Sequence, residues 1–239
     1  MVQTKKPRIR QKILTAARKE FLKKGFNGTS MRLIAKRSRC TLSNIYNYFH
    51  NKDEIYCELV GPVVGKIKWL FDLARKFAPR AGRSIPTVKD KIAGMPMVCD
   101  FIEENRDCLK LLFLYSEGSS YASFRDELIY KYSHETFPII LEIFKASHPK
   151  KKLHEPCLLF LMNFISFQIN SFLKILKYNP EREEMLRFLE EMKIFSYSGF
   201  RALLGIPVSE RELTHESKYS SRYMRLFNKG EKKDGKPQN

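Results

Sequence analysis

The sequence predicts an all-α protein with a three-helix module at its N-terminus and a larger helical body behind it. Apolar residues recur at three- and four-residue spacing, and no period-two strand pattern competes between Thr87 and His148. The stretch from Thr29 to Glu54 fits two short helices joined by a tight turn. The 239 residues are enough for a sizeable core. We expect the module over residues 1–55, the body over 56–206 and a polar, flexible tail over 207–239.

The first helix is expected between Arg8 and Lys24. Its apolar residues fall on one face, and Gly25 ends it because glycine favours the backbone conformation of a helix terminus. Phe26 is expected to pack back on the last turn. The basic residues of the other face are either solvated or in contact with phosphates: Lys12, Arg18, Lys19 and Lys23.

The second helix is expected to begin at Thr29 or Ser30, either of which can cap it. Ile34 and Ala35 form its inward side. The polar run from Arg37 to Arg39 then breaks the apolar period, so the turn is expected there.

The third helix is capped by Thr41 in this interpretation. Ile45, Tyr48 and Phe49 lie at three- and four-residue spacing and are expected to face inward. The opposite face is polar and uncharged, which suits a helix that enters the major groove of DNA and offers hydrogen bonds to base edges. That face holds Ser43, Asn44, Tyr46 and Asn47.

Positive charge is concentrated at the same end of the chain. Residues 1–55 hold 14 Lys and Arg against 3 Asp and Glu, within a formal net charge of +18 for the whole chain. Such asymmetry speeds encounters with a polyanion and supplies sequence-independent affinity for DNA.

This pattern resembles the helix-turn-helix of the tetracycline-repressor (TetR) family of bacterial transcription regulators. The resemblance is carried by Thr29-Ser30-Met31-Arg32, Ile34-Ala35, Ile45-Tyr46-x-Tyr48-Phe49 and Lys52-Asp53-Glu54. One departure is Arg39, since the family usually has glycine in the turn; Arg39 implies strain or a differently shaped turn. The predicted DNA-binding residues are Met31, Arg32, Thr41, Ser43, Asn44, Tyr46, Asn47, Tyr48 and Lys52.

A long helix follows, because Asn51 and Glu54 have the spacing of a capping box. It is expected to run through Trp69 to Phe77, with Gly61-Pro62 bending or interrupting it. The resemblance implies that this helix links the DNA-reading end to the effector-binding body. Turn residues at 79–86 predict a loop. Helices are expected near 87–104, 106–116 and 121–147, with kinks at Pro96 and Pro138.

Large, soft side chains are frequent in the body. At helical spacing such residues form either a plain core or the lining of an apolar cavity. The family resemblance favours a cavity for an apolar or amphipathic effector. The predicted lining is Met95, Phe113, Tyr121, Phe137 and Phe164.

The last two helices are expected from Pro156 to about Lys177 and from Glu181 to Leu204. The first is strongly apolar, which raises the alternative of a membrane span. Its short length and its interruption by polar residues favour a soluble helix buried on two sides instead. The resemblance implies a four-helix dimer interface with a second copy of the chain. The predicted interface residues are Phe160, Phe167, Met192, Ser196, Gly199 and Leu203.

Several other classes are disfavoured. The N-terminal residues predict neither a secretory signal nor a membrane anchor, which favours the cytoplasm. Five cysteines without a C-x-x-C pair argue against a disulfide framework. His148, His154 and Cys157 are too few and too scattered to predict a metal site. Without a phosphate loop, H-E-x-x-H or G-x-S-x-G motif, we expect neither an enzyme nor a cofactor.

The sequence therefore predicts a ligand-responsive repressor that binds a palindromic DNA operator as a homodimer. The alternative is a helical interaction protein of the same architecture that does not bind an operator. Arg39 and the absence of Lys and Arg from Thr41 to Asn51 are the observations that favour this alternative.

Overall fold

A computed structural model describes residues 6–76 and 93–207. Within these ranges the chain is helical and contains no strand, which confirms the all-α prediction. The predicted loop at 79–86 and the tail beyond Pro207 lie outside the described residues. The elements are α1 Pro7–Lys24, α2 Met31–Ser38, α3 Leu42–Tyr46, α4 Lys52–Lys76, α5 Met95–Leu114, α6 Phe124–Lys131, a π-helical turn Tyr132–Thr136, α7 Phe137–Ser147, α8 Leu158–Tyr178 and α9 Arg182–Leu203.

The chain divides into two compact units. The first contains the described parts of residues 1–85 and 100–179, and the second those of 86–99 and 180–239. The first unit therefore holds α1 to α4, most of α5, and α6 to α8, whereas α9 belongs to the second. The boundaries predicted at residues 55 and 206 stay predictions.

Helix α1 forms as its apolar spacing predicts. Ile13, Ala17 and Phe21 are fully buried, and α1 makes its most extensive contacts with α2. Gly25 ends the helix at a positive φ of 69°, and its amide donates to the Phe21 carbonyl. The ring of Phe26 stacks on Phe21 at a centroid distance of 5.8 Å, so the predicted return contact is confirmed.

The turn between α2 and α3 adopts a strained backbone conformation at Arg39. Its φ of 51° and ψ of 38° lie in the left-handed region, which glycine occupies at lower cost. The amide of Cys40 donates to Ala35 at 3.1 Å and that of Arg39 to Lys36 at 3.3 Å, as in a Schellman motif. The turn therefore keeps the hydrogen bonds of a glycine-ended helix although arginine occupies the position.

Helix α4 begins at the predicted capping residues. The Asn51 side chain accepts from the Glu54 amide at 2.8 Å, and the Glu54 carboxylate accepts from the His50 amide at 2.6 Å. The helix is continuous through Pro62, so of the two predicted alternatives the interruption is wrong and the bend stays a prediction. Buried valines on both sides of the proline, Val60 and Val63, supply packing that offsets the lost amide hydrogen bond.

Helix α5 corrects two further predictions. It is a single helix where a break near residue 105 was expected, because Ile102 and Leu109 are buried on either side of that point. The Asn105 side chain donates to the Phe101 carbonyl at 2.8 Å instead of breaking the helix. Pro96 lies in the first turn of α5, where its missing N–H costs little, so it does not kink this helix.

The predicted helix near 121–147 is divided into α6, the π-helical turn and α7. Pro138 stands in the first turn of α7, directly after the wider turn. The Ser133 hydroxyl donates to the Ile129 carbonyl at 2.7 Å. The turn contacts both α4 and α8, with Ser133 and Thr136 buried and Glu135 exposed.

Helices α8 and α9 match the predicted segments closely. By length and composition α8 could cross a membrane, a test that core helices of soluble proteins also pass, and 17% of its most apolar window is buried. Its buried residues are Leu161, Ile165, Ile175 and Leu176. Its exposed apolar residues in the single chain are Leu158, Leu159, Phe160, Met162 and Phe167.

The strain at Arg39 leads to a stability prediction. Arg39→Gly is expected to raise the free energy of unfolding by about 1 kcal/mol, because the left-handed conformation costs an L-residue more than the extra unfolded-chain entropy of glycine. Urea unfolding followed by circular dichroism measures the change. As a control, Lys36→Gly in the exposed, regular part of α2 is expected to lower the free energy of unfolding by about 1 kcal/mol. A loss of stability in Arg39→Gly would show that the turn is not strained.

Candidate nucleic-acid interface

Helix α3 is short, and its orientation is set by a cap and by buried anchors. The Thr41 hydroxyl accepts from the Asn44 amide at 3.2 Å, which confirms the predicted cap. Ile45 and Phe49 are almost completely buried and Tyr48 is nearly so, as the spacing predicted. A helix of five residues has few internal hydrogen bonds, so these anchors hold it in place.

The outward face of α3 is accessible and uncharged. Ser43 and Asn47 are exposed, the Tyr46 side chain is 48% exposed, and Asn44 is half-buried. Thr41 is also exposed at the start of the helix. The face thus offers hydroxyl and amide groups that can donate hydrogen bonds to base edges or accept hydrogen bonds from them.

The start of α2 supplies the other predicted contacts. The Ser30 hydroxyl accepts from the Leu33 amide at 3.3 Å, so Ser30 and not Thr29 caps the helix. The Thr29 hydroxyl instead donates to the Gly25 carbonyl at 2.8 Å. In the first turn Arg32 is exposed and Met31 is half-buried. Arg32 is therefore free to reach a phosphate, and that contact stays a prediction.

Tyr48 has a structural contact in this chain. Its ring is buried, and its hydroxyl accepts from the backbone amide of Lys6 at 3.1 Å. Because Lys6 immediately precedes α1, the hydroxyl satisfies an amide at the start of that helix. Tyr48 ties α1 to the end of α3, and the DNA contact predicted for it stays a prediction.

Lys52 is also occupied within the chain. Its ammonium donates to the Phe26 carbonyl at 2.7 Å and to the Thr29 carbonyl at 2.9 Å, and lies 4.0 Å from the centroid of the Phe26 ring. Burial lowers the pKa of Lys52. The side chain braces α4 against the α1–α2 connection, which leaves one N–H for the predicted phosphate contact.

The segment between α5 and α6, residues 115–121, docks on this DNA-reading end; we call it the corner. The Phe26 amide donates to the Tyr115 carbonyl at 3.0 Å. The Asp53 carboxylate accepts from the Ser120 amide at 2.9 Å. The Ser120 hydroxyl also lies 3.2 Å from the thiol sulfur of Cys57. These contacts join the corner to the α1–α2 connection and to the start of α4.

Gly118 makes the closest approach within the corner. Its φ of 84° is positive, and a Cβ placed on it would overlap the side-chain oxygen of Asn27. Only glycine combines this backbone conformation with this approach. A side chain at this position of the corner would be strained by the positive φ and would have to displace the exposed Asn27 side chain.

Aromatic residues connect the corner to the body. Phe124 receives the edges of two predicted pocket residues, Tyr121 at a centroid distance of 6.1 Å and Phe113 at 5.7 Å. Phe113 also packs against Phe172 of α8 at 5.7 Å. The structure thus brings Phe113 and Tyr121 together around one ring.

The other predicted pocket residues lie elsewhere. Phe164 stacks on Phe160 at a centroid distance of 5.9 Å. Phe137 is buried in the first unit, and Met95 is buried and belongs to the second. A cavity shared by all five residues stays a prediction.

The predicted dimer residues of α8 are exposed in the single chain. Phe160 and Phe167 are both exposed, and Leu159 beside them is 70% exposed. Large apolar side chains that are exposed together on one helix indicate a surface that is covered by something else.

The predicted dimer residues of α9 are divided between two environments. Gly199 and Leu203 are exposed, and Phe195 on the same helix is 68% exposed. Met192 is half-buried, whereas Ser196 is buried within its own chain. Ser196 therefore does not belong to the exposed face on which the interface prediction relied.

The candidate metal ligands do not form a centre in the part of the chain that the structure describes. His148, His154 and Cys157 belong to no group of three or more potential ligand side chains there. All five cysteines are free thiols.

Comparisons with known proteins agree with the helix-turn-helix geometry. The sequence profile described as "Bacterial regulatory proteins, tetR family" matches residues 13–59, which include α1 to α3 and the start of α4. Residues 13–59 therefore form a helix-turn-helix domain of the TetR type. The match ends at the start of the body, so the similarity to this family rests on the DNA-reading end.

Individual relatives of the chain are distant. An HTH-type transcriptional regulator of Bacillus subtilis, YdgC, is 26% identical over 105 residues, which are 44% of this chain and 52% of the relative. The alignment thus spans about half the length of that relative.

A solved structure shows the same fold. A structure assigned to the TetR family from Syntrophomonas wolfei has a TM-score of 0.50 at 20% identity, covering 80% of this chain and 95% of its own. A TetR-like regulator from Rhodococcus has a TM-score of 0.48 at 18% identity, covering 85% and 100% respectively.

Sequence reasoning missed the contacts of the corner residues. Ser120 and Asp53 are 67 positions apart, and no local pattern connects them. The turn residues near Gly118 predicted a break between helices but not its partner. Only the folded chain shows that this break is the contact between the body and the DNA-reading end.

The close approach at Gly118 leads to a testable prediction. Gly118→Ala is expected to lower the free energy of unfolding by about 1 to 2 kcal/mol, mainly through the positive φ, because the exposed Asn27 side chain can move away from the added Cβ. Asn27→Ala should remove the overlap but not the backbone strain. A double-mutant cycle by urea unfolding is therefore expected to give a small coupling energy of about 0.5 kcal/mol.

Replacing a second glycine, Gly65, controls for the general effect of a glycine-to-alanine substitution. Gly65 lies in exposed helix with open space around its Cβ position, so Gly65→Ala is expected to be neutral or slightly stabilising. Strictly additive effects of Gly118→Ala and Asn27→Ala would show that the two residues do not touch in solution.

Proposed function

We propose that this TetR-family regulator is a cytoplasmic, ligand-responsive repressor that binds a palindromic operator as a homodimer. The observation that carries the proposal is the exposed, uncharged face of α3, held by a capped helix start and buried anchors. Two such helices, one from each subunit, would lie in successive major grooves roughly 34–36 Å apart.

Base reading is assigned to the exposed polar groups of α3. Asn44, Asn47 and Tyr46 would make base or groove contacts, and Ser43 and Thr41 would contribute hydroxyl groups. Arg32 and Met31 at the start of α2 would lie against the strand that borders the groove. Phosphate contacts position the protein, whereas base contacts select the sequence.

Dimerisation is supported by apolar surface that the single chain leaves uncovered. Phe160, Phe167 and Leu159 on α8 and Phe195 and Leu203 on α9 are exposed. Joining two reading heads makes the second engagement intramolecular, so operator affinity would depend on an interface far from the DNA.

Regulation by a ligand is supported by the contacts of the corner. Tyr121 in the corner packs against Phe124, while Ser120 next to it is bonded to Asp53 at the start of α4. An apolar or amphipathic effector that displaced this aromatic cluster would change how the corner packs against the DNA-reading end. Such an effector releases DNA only if it binds the non-reading conformation more tightly.

Sequence reading is tested with Asn44→Ala. The variant is expected to lose roughly 1–3 kcal/mol of binding free energy on the operator and little on random DNA, because a base contact is removed. The fold should be retained, since the Thr41 cap uses the backbone amide of Asn44 and not its side chain. Operator fragments selected from genomic DNA, followed by fluorescence anisotropy on both duplexes, supply the measurement.

Arg32→Gln is the comparison variant for this test. A phosphate contact predicts equal weakening on the operator and on random DNA. If Asn44→Ala weakened both equally, Asn44 would not select sequence. If the wild-type chain selected no fragments at all, the interaction protein without operator binding would be the better description.

The dimer is tested with Gly199→Glu. Nothing lies within 4 Å of a Cβ at this exposed position, so the substitution leaves the single chain intact. In the dimer it would bury an unpaired charge, at a cost of several kcal/mol. Sedimentation velocity is expected to show a folded monomer with at least tenfold weaker operator binding.

Gly65→Glu provides the matched control, since Gly65 is an exposed helical glycine with equally open surroundings. It should remain dimeric and bind the operator as the wild type does. A Gly199→Glu protein that remained a dimer with unchanged affinity would place the interface elsewhere.

A further inference from the structure

The positive charge of the DNA-reading end lies away from α3, the helix that we propose reads the bases. No Lys or Arg occurs between Cys40 and Asn51, although residues 1–55 contain 14 of them. Exposed cations are found instead along α1 and α2, on the two sides of the line where these helices meet; we call this surface the seam. The seam cations are Arg8, Lys12, Lys19, Lys23, Lys24, Lys36 and Arg37.

The seam contains two adjoining grooves. The larger has a volume of about 680 Å³, and every charged residue that lines it is a cation: Arg8, Lys12, Lys19 and Arg37. The smaller, of about 390 Å³, continues along α1 past Lys23 and shares Arg37 with the first. No residue of α3 lines either groove, so this surface is separate from the base-reading face.

The carboxylate within the seam is already neutralised. Glu20, in the lining of the smaller groove, is buried and forms an ion pair with Arg37. No ion pair is recorded for Arg8, Lys12, Lys19 or Lys23 within residues 6–76 and 93–207. Their charges are therefore available to an anion from outside the chain.

The cations of α1 form a line. Arg8, Lys12, Lys19 and Lys23 are separated by four, seven and four residues, which places them on one side of the helix. At a rise of about 1.5 Å per residue the line is roughly 22 Å long. A DNA strand carries one phosphate per roughly 3.4 Å of axial rise, so about six phosphates span the same length.

The chemistry of the lining favours nucleic acid over an acidic protein. The uncharged lining residues include Gln11 and Thr15, which can hydrogen-bond to phosphate oxygens, and only two apolar side chains, Ala16 and Leu33. Protein interfaces are depleted in lysine and have an apolar centre, whereas interfaces with DNA are polar and strongly positive.

We propose that the seam between α1 and α2 binds the phosphodiester backbone of duplex DNA, independently of sequence and outside the groove that α3 reads. This inference deepens the proposed function, on which it rests for DNA as the partner. The regulator would hold DNA through two surfaces of each reading head, one that selects bases and one that binds phosphates. The seam would thus provide the non-specific affinity that brings the neutral reading helix to its site.

The test removes three seam charges together, with Lys12→Gln, Lys19→Gln and Lys23→Gln in one full-length chain. Binding to a fluorescent random-sequence duplex several turns long is measured between about 50 and 200 mM salt. The slope of log Kd against log salt is expected to fall by about 2 to 3 for each reading head that engages the duplex, at about 0.9 for each lost phosphate contact, with at least tenfold weaker binding at the lowest salt.

A matched control distinguishes a local site from net charge. Lys150→Gln, Lys151→Gln and Lys152→Gln remove the same charge from exposed positions between α7 and α8. This variant is expected to keep the wild-type salt slope. Both triple variants should keep the wild-type melting temperature, because all six side chains are exposed and glutamine is a good helix former.

Each other outcome overturns the proposal. Equal losses in the two triple variants would mean that net charge acts at long range and that the seam is not a site. Unchanged DNA binding in the seam variant, with lost binding to polyglutamate, would assign the seam to an acidic polypeptide. The proposed function fails separately, if the wild-type chain prefers no DNA sequence while the seam variant still loses affinity for random DNA.

Discussion

The buried side chain of Tyr56 is the contact on which the first unit depends. Its ring packs edge-on against Phe21 and Phe26, each at a centroid distance of 5.1 Å, and its hydroxyl donates to the Leu111 carbonyl at 2.6 Å. Burial raises the pKa of Tyr56, so the hydroxyl stays a donor at physiological pH. One side chain thus joins α1, α4 and α5.

The same arrangement explains how a five-residue helix can serve as a reading element. Thr41 caps α3, Ile45 and Phe49 anchor it, and Tyr48 ties it to the start of α1. Contacts from outside the helix hold it, because so short a helix is not stable alone. Its outer residues are therefore not needed for packing and can provide hydrogen-bonding groups. The positive charge that we propose attracts DNA lies on α1 and α2.

Two surfaces of the regulator's body differ in how precisely they must fit their partners. At the corner, the close fit of Gly118 and the bond from Ser120 to Asp53 require exact placement, which makes this contact sensitive to small shifts in the aromatic residues behind it. On α8 and α9, exposed residues such as Leu159 and Phe195 require only a covering apolar surface. The first suits a switch, and the second suits a permanent interface.

Local signals in the sequence determined the helices, the caps at Thr41 and Asn51 and the polar face of α3, because these depend on residues a few positions apart. They also located the departure at Arg39, whose left-handed backbone the structure shows. Tertiary structure decided what depends on distant partners. Lys52 donates hydrogen bonds to the carbonyls of Thr29 and Phe26, which are 23 and 26 residues away. Helix α4 continues through Pro62 because the residues around the proline are buried. Ser120 of the corner donates to Asp53, which is 67 positions away. No periodic pattern encodes such pairings, since they arise only when separate helices are packed against one another.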